Sequence, residues 1–328
     1  MKEDNLSAFE DFFIVGFSDL PKLQVPLFAA FSLIYLMTLV GNLLIMITIY
    51  SNSHLHTPMY FFIGNLSFID ICGITIIFPL MLSRIFQNGT HMSLAECLVQ
   101  AYCVMVMIST EFLLLSVMAY DRYVAICNPL RYMTIMSKAV CMRWAAGIWV
   151  LGFVTPVPHT VLVSKLTFCE SHTVNHFFCE VPSLMKLSCS STYAIETLSY
   201  ILGAVELMMS FLLIIISYIN IVSSILKMKS KGGRTKAFST SASHLIVVIL
   251  FYGSICSTYV RPTSSYSMQN NKLLSLLYIV ITPLFNPVIY SLKNAEFKMA
   301  LRKTKNSGQI AGTKTDSNIA KVVRKIDI

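Results

Sequence analysis

Two polar motifs interrupt the apolar stretches of this sequence, and their residue types could support a conformational switch. The first, Asp121-Arg122-Tyr123, lies in the string MAYDRYVAIC, and the second is NPVIY at residues 286–290. Arginine keeps its charge at any physiological pH, and the adjacent aspartate gives it a partner. Charged groups in an apolar helix, and a proline that removes a helix hydrogen bond, are energetically costly, so their presence indicates a function.

Two interpretations of the Asp121–Arg122 pair remain open. In a switch, the parting of helices frees Arg122 to receive a cytoplasmic partner. In the simpler alternative, the pair is an interfacial salt bridge that only fixes the depth of its helix. The second motif, with Asn286, Pro287 and Tyr290, favours the switch because both motifs would be expensive in lipid without a function.

Four further polar residues lie in four different apolar segments: Asn42, Asp70, Glu111 and Asn286. Glu111 precedes Arg122 by about three helical turns, so both are expected on one side of the same helix. Two carboxylates near the middle of a membrane are expected to share a proton or a cation, and a sodium ion is a natural occupant. A neutral hydrogen-bonded network is the alternative.

Other patterns support neither a metal site nor an enzyme. The string from His172 through His176 and Cys179 to Glu180 has ligand spacing for a soft metal, but an oxidised cysteine is the better interpretation. The sequence shows no Ser-His-Asp arrangement in one water-accessible place, no glycine-rich phosphate loop and no His-Glu-x-x-His motif. No cofactor other than sodium is expected.

Composition places these residues in a membrane protein. Of 328 residues, 55% are hydrophobic and 12% are charged, whereas soluble domains carry about 25% charged residues. Seven stretches reach the roughly 20 residues that cross a bilayer. They span residues 25–50, 59–82, 98–120, 141–163, 197–226, 237–260 and 273–292.

The basic residues orient these segments, because cytoplasmic loops are enriched in lysine and arginine. One side carries the C-terminal tail together with Lys138, Arg143, Lys227, Lys229, Lys231, Arg234 and Lys236, whereas the other carries Lys2, Lys22, Arg84, Lys165, Lys186, Arg261 and Lys272. The N-terminus is therefore expected outside and the tail in the cytosol. The net charge of +9 follows from this asymmetry and not from nucleic-acid binding.

A single domain is expected over residues 1–302, with residues 1–24 extracellular and no cleavable signal. Residues 303–328 are expected to form a disordered cytoplasmic tail, after a short amphipathic helix on the inner leaflet at 294–302. Asn5 is a predicted glycosylation site. Asn88 also matches the sequon, but its glycosylation is open, and Asn65 is discounted because it lies within a predicted helix.

The nine cysteines separate by compartment. Five lie within the apolar segments or at their cytoplasmic end: Cys72, Cys103, Cys127, Cys141 and Cys256. The other four are extracellular, and in an oxidising compartment they indicate two disulfides, for which the sequence alone allows three pairings. These four are Cys97 and, in the long outer loop, Cys169, Cys179 and Cys189.

Several strings resemble the rhodopsin-like G-protein-coupled receptors and, within them, the olfactory receptors. The most specific strings are HTPMY, which begins HTPMYFFIGNLSFID (56–70), MAYDRYVAIC, which begins MAYDRYVAICNPLRY (118–132), and KAFSTSASHL (236–245). Ser217-Tyr218 and PLFNPVIYSLKN (283–294) complete the resemblance. The resemblance covers residues 12–302. The tail beyond Asn306 is longer than the family leads us to expect, which leaves its role in trafficking and desensitisation open.

The resemblance implies a multi-pass plasma-membrane receptor, expected in olfactory sensory neurons, that binds a small volatile odorant. It implies activation of a stimulatory olfactory-type G protein that raises cyclic AMP. Arg122 would contact the G protein, with Tyr218 and Tyr290 holding the open state. The resemblance also implies disulfides Cys97–Cys179 and Cys169–Cys189, and it fits a sodium site at Asp70 and Glu111.

The implied odorant pocket lies between the third, fifth and sixth helices. Helical spacing then predicts that its wall comprises Val104, Met105, Ile108, Ser109, Phe112, Leu202, Glu206, Tyr252, Ile255, Cys256 and Tyr259. Glu206 is the unusual member, and two roles remain open for it. An ionised Glu206 would favour an amine, whereas a protonated Glu206 would only donate to a neighbouring helix.

Three alternative functions remain at this stage. The first is a receptor for a non-odorant metabolite, expressed outside the nose. A transporter would also use charged residues in the membrane, but it usually shows repeated halves, which this sequence lacks. A channel would need a ring of like residues along a pore, and none is visible.

Overall fold

The structure is a computed structural model that describes residues 11–17, 21–87, 89–169, 172–259, 268–292 and 297–301. Within these ranges, seven helices are long and apolar enough to cross a membrane, which confirms the predicted all-α seven-helix bundle. Their bounds are α1 Gln24–Ser51, α2 Pro58–Ile85, α3 Leu94–Cys127, α4 Lys138–Val154, α5 Tyr193–Lys227, α6 Lys231–Tyr259 and α7, which comprises Met268–Leu276, a π-helical turn at Leu277–Ile281, and Thr282–Leu292.

The central helix, α3, is longer at both ends than the predicted range 98–120. It begins at Leu94 because Ser93 and Glu96 form a capping box. The Ser93 hydroxyl accepts a hydrogen bond from the Glu96 amide, and the Glu96 carboxylate accepts one from the Ser93 amide at 2.9 Å. At the other end the helix continues past Asp121 to Cys127, so the charged pair lies within the helix.

α4 ends at Val154, and a short helix, Val157–Val163, continues in the same direction after Thr155-Pro156. Proline has no backbone N–H to donate to the preceding turn, which explains an interruption at this point. α5 begins at Tyr193, earlier than the predicted residue 197, and the Thr192 hydroxyl donates to Glu196 at 2.7 Å in its first turn. The polar outer end of this segment is therefore helical.

A small sheet covers the outer end of the bundle, and the sequence patterns did not predict it. It contains β1 Asp11–Ile14, β2 Thr90–Ser93 and β3 Thr173–Val174, in the order β2-β1-β3. β1 pairs antiparallel with β2 and parallel with β3. β1 comes from the N-terminal segment, so residues 11–14 of that segment are part of the fold. We call the sheet and residues 172–180 the outer cap.

The outer cap has its own apolar core beneath the sheet. Phe12 and Ile14 of β1 are fully buried, and they share this core with Met92 and the Cys97–Cys179 disulfide. A separate and larger apolar core runs through the helix bundle. Apolar side chains such as Leu33 and Val40 on α1 are exposed in the protein, as expected for a surface that contacts lipid.

A helix follows α7, and it was expected at 294–302. Residues 297–301 are helical, and the remainder of that range lies outside the described residues. Phe297 is buried and stacks on Tyr60 at a centroid distance of 6.5 Å, whereas Met299 is exposed. The helix is therefore fixed to the bundle at Phe297. The predicted glycosylation site Asn5, the open sequon residue Asn88 and the tail at 303–328 also lie outside the described residues.

Candidate functional site

The charged pair at the cytoplasmic end of α3 is closed in this structure. Arg122 donates to Asp121 Oδ2 through Nη2 at 2.9 Å and through Nε at 3.2 Å. Asp121 is completely buried, and the Arg122 side chain is 13% exposed. The second carboxylate oxygen of Asp121 accepts a hydrogen bond from the Tyr132 hydroxyl at 2.8 Å. Asp121 is thus held by two donors, one of them on the following intracellular loop.

Tyr132 was not among the predicted site residues. It begins the short helix Tyr132–Ile135, which follows the turn Pro129–Arg131. Burial, followed by the negative charge of Asp121, raises the pKa of the Tyr132 phenol well above its usual value, so the hydroxyl remains a donor. The residue ends the string MAYDRYVAICNPLRY, but nothing in the local pattern shows that the loop folds back onto Asp121.

Tyr218 of α5 is bound to α6. Its hydroxyl donates to the Ser241 carbonyl at 2.8 Å and lies 2.8 Å from Nδ1 of the buried His244. The two rings stack nearly parallel, with an interplanar angle of 4°. His244 was not predicted as a site residue, although it stands in the string KAFSTSASHL. Tyr218 and His244 both lie within electrostatic reach of Arg122.

The second motif lies in the cytoplasmic part of α7, next to α1. A side chain at Gly41 would approach Pro287 to 3.1 Å, so glycine permits this close helix contact. Tyr290 is buried, and its hydroxyl has no hydrogen-bond partner among the described residues. Tyr123, also predicted as part of the site, is half-buried, with its ring 6.0 Å from that of Tyr120.

The predicted polar network in the middle of the bundle brings α2, α3 and α7 together. Asn286 donates to Asp70 Oδ2 at 2.9 Å, and Asn42 donates to the Pro283 carbonyl at 3.1 Å. Asp70 and Glu111 line one cavity of about 40 Å³. In the described residues Asp70 Oδ1 and Glu111 Oε1 have no hydrogen-bond partner. Roughly 10–15 Å³ of such volume holds one water, so a small cation fits.

The predicted odorant-pocket residues separate into two groups. Ser109 donates to Glu206 Oε2 at 3.2 Å, and the Phe112 ring contacts the Tyr252 ring edge-to-face at 5.0 Å, so α3 contacts α5 and α6 at these residues. By contrast, Val104 and Ile108 line the cavity that holds Asp70 and Glu111.

The remaining predicted pocket residues differ in exposure. Met105, Leu202 and Cys256 are half-buried, and Ile255 is buried. The side chain of Tyr259 lies outside the part of the chain that the structure describes.

A larger cavity, of about 410 Å³, lies between α2, α3 and α4 and shares no residue with the predicted pocket. Its lining is apolar and includes two thiols. The lining residues are Ile71, Cys72, Thr75, Ile76, Cys103, Val106, Met107 and Phe153.

The outer loop is tied down by two disulfides, Cys97–Cys179 and Cys169–Cys189, the pairing that the resemblance implied. Cys179 also donates its amide to Gln100 Oε1 at 2.9 Å, which holds the loop against α3. Because Cys179 is bonded to Cys97, it cannot act as the thiolate of a metal site with His172 and His176.

Comparison with known proteins identifies the family. The family model described as olfactory receptor matches residues 31–306. Olfactory receptor 5M5 of Mus musculus is 44% identical over 92% of this chain and 95% of its own length, and olfactory receptor 9G4 of Homo sapiens is 46% identical over 92% and 93%. The chain therefore belongs to the olfactory receptor family, as a multi-pass G-protein-coupled receptor of the plasma membrane that serves odorant detection and not catalysis.

Proposed function

We propose that this receptor binds a small volatile ligand among α3, α5 and α6 and activates a stimulatory olfactory-type heterotrimeric G protein, which raises cyclic AMP. The observation that carries the proposal is the arrangement at the cytoplasmic end of the bundle. Arg122 is closed onto Asp121, while Tyr218 is bound to α6 through Ser241 and His244. In this proposal these contacts belong to the resting state, and activation must break them.

Activation in this proposal is an exchange of partners. Movement of α6 away from α3 breaks the bonds from Tyr218 to Ser241 and His244 and opens a space on the cytoplasmic side. The phenols of Tyr218 and Tyr290 can then bridge to Arg122, which leaves Asp121 and meets the G protein. Tyr290 is suited to this role because its buried hydroxyl has no partner among the described residues.

A cluster of rings connects the ligand region to this exchange. Phe112 of α3 packs edge-to-face on both Phe251 and Tyr252 of α6, at 4.9 and 5.0 Å. Tyr252 lies about two turns above His244 on the same helix. A ligand that displaces these rings would therefore move the helix that holds Tyr218. Only a ligand that prefers the displaced arrangement can shift the population in this way.

Sodium is proposed as a stabiliser of the resting state. The residues fit, because Asp70 and Glu111 each have a buried carboxylate oxygen without a partner among the described residues, and both line a cavity wide enough for the ion. Carboxylate oxygens are the ligands that hard cations prefer. Asp70 is also bound to Asn286 of the NPVIY motif, so an ion held there restrains α7. The alternative, a neutral hydrogen-bonded network, is distinguished by the sodium dependence of stability.

The test of the proposed function is Arg122→Ala in receptor-expressing cells. We expect loss of ligand-driven cyclic AMP with largely normal surface expression. Arg143→Ala is the matched control, because Arg143 is an exposed arginine at the cytoplasmic start of α4. The ligand panel comprises volatile acids, aldehydes, amines, thiols and musks. A normal cyclic AMP response in Arg122→Ala would refute the role of Arg122, and uptake of the ligand would indicate a transporter.

A further inference from the structure

Glu206 lies on the inward face of α5, between α3 and α4. The buried residues of α5 follow one stripe, which passes through Ser210, Ile214, Ser217, Ile221 and Ile225. Glu206 precedes Ser210 by one turn on this stripe, and its Oε2 accepts a hydrogen bond from Ser109 of α3 at 3.2 Å. The Thr155 hydroxyl, at the end of α4, lies near the same carboxyl group but donates its hydrogen to the Leu151 carbonyl at 2.9 Å.

No cation balances Glu206 within the described residues. The ion pairs found there are Arg122–Asp121 and His176–Glu180, and neither involves Glu206. An acid at this depth in a membrane is costly, and such residues usually mark the path or site of a ligand. The single hydroxyl donor, Ser109, satisfies the hydrogen-bonding capacity of a carboxylate only in part, because an ionised carboxylate accepts about four hydrogen bonds.

Several inward residues in the outer half of α5 are only partly buried, although Ile195 near its start is buried. Of its inward residues, Ser199, Leu202, Glu206 and Leu207 are only half-buried, whereas the stripe from Ser210 onward is buried. Met105, about one turn before Ser109 on α3, is also half-buried. The partial exposure of these facing residues lies in the region where the odorant pocket was predicted.

We propose that Glu206, with Ser109 and Thr155, binds the ammonium group of a small amine whose hydrocarbon part packs on Met105 and Leu202. This proposal rests on the proposed function and names the ligand class of the same site. A primary ammonium carries three donors and no acceptor, so it matches one carboxylate and two hydroxyl oxygens. Bonds between charged partners are the stronger hydrogen bonds, and they would give amines an advantage over alcohols of the same shape.

The test uses purified receptor, so that it does not depend on G-protein coupling. Cyclohexylamine, benzylamine and isoamylamine are compared with cyclohexanol, benzyl alcohol and isoamyl alcohol for their ability to raise the thermal unfolding midpoint. The variants are Glu206→Gln, Glu206→Asp and Ser109→Ala. Glu196→Gln is the matched control, because it removes the same charge from an exposed position in the first turn of the same helix.

We expect at least one amine to stabilise the wild type at a lower concentration than its matched alcohol. Glu206→Gln should weaken that amine roughly 10- to 150-fold, the effect of one hydrogen bond to a charged group. Ser109→Ala should weaken it less, and Glu196→Gln should leave it unchanged. If Glu206→Gln does not fold, the charge-retaining Glu206→Asp must keep the preference for amines.

Two results would overturn the proposal. In the first, none of the amines stabilises the wild type; in the second, the amines stabilise the wild type and Glu206→Gln equally. The second result would leave Glu206 as a protonated group that only joins helices. Because binding is measured directly, a failure of cyclic AMP signalling would count against the proposed coupling and not against the amine site.

Discussion

Acidification should loosen the outer cap through His176. This side chain is 1% exposed, its ring stacks on Phe177 at 4.6 Å, and its Nε2 lies 3.7 Å from Glu180. The Lys272 ammonium, which donates to the Gly16 carbonyl at 2.7 Å, lies close enough to repel a second positive charge. Burial, and then Lys272, lower the pKa of His176 from 6.5 to about 3.

The sign and size of the effect follow from these two pKa values. Above pH 6.5, His176 is mostly neutral whether the loop 172–180 is docked on the bundle or detached from it, so protonation does not lower the stability of the cap. As the pH falls from 6.5 towards 3, His176 becomes protonated in the detached loop but stays neutral in the docked loop, which favours detachment. Between pH 7 and pH 5 the docked cap should lose about 2 kcal/mol, since each pH unit corresponds to 1.36 kcal/mol.

The assay is hydrogen exchange of the strand amides in β1 and β2, corrected for intrinsic exchange at each pH. Protection in the wild type should fall roughly 25-fold from pH 7 to pH 5. His176→Phe, which keeps an aromatic ring, should abolish this dependence. His172→Phe is the control, because His172 lies half-exposed in the same loop. Constant protection in the wild type, or the same fall in His176→Phe, would refute the reasoning.

Three further predictions concern the switch and the supports around it. Tyr132→Phe should raise ligand-independent cyclic AMP at equal surface expression, because it removes one of the donors that hold Asp121, and a hydrogen bond to a charged acceptor contributes about 2 kcal/mol; unchanged basal activity would contradict this. Cys97→Ser or Cys179→Ser should lose surface expression, since a disulfide contributes about 2–4 kcal/mol and this one closes a separation of 82 residues; normal expression of both would show that the bond is dispensable. Raising sodium should lower basal activity and raise the unfolding temperature, and Glu111→Gln should blunt both effects; an undiminished sodium response in that variant would leave only the hydrogen-bonded network.

The sequence was sufficient for the architecture of the bundle. Seven apolar stretches of membrane length predict seven helices because no other structure satisfies the backbone of such segments in lipid. The same reasoning predicted that polar residues in different segments would meet inside, and Asp70 and Asn286 are hydrogen-bonded. Asp121 and Arg122 are adjacent in the chain, so their ion pair required no tertiary information.

Contacts that depend on helix rotation were harder to predict. Helical spacing shows that Val104, Ile108 and Ser109 lie near one another on α3, but it does not show which neighbour each one faces. In the structure Ser109 meets Glu206, whereas Val104 and Ile108 line the cavity with Asp70 and Glu111. A rotation of the helix by a fraction of a turn would redistribute these residues, and only packing against every neighbouring helix fixes that rotation.

Contacts between distant segments were decided by the tertiary structure alone. The four residues of β1 carry little local pattern, and their partners in β2 and β3 are far away in the sequence. The bonds from Tyr132 to Asp121 and from Tyr218 to His244 likewise join separate elements. Length and hydropathy are properties of one segment and can be read from it. Which surfaces of two segments touch depends on the packing of the whole chain, because burial and hydrogen-bond satisfaction are shared among all of its elements.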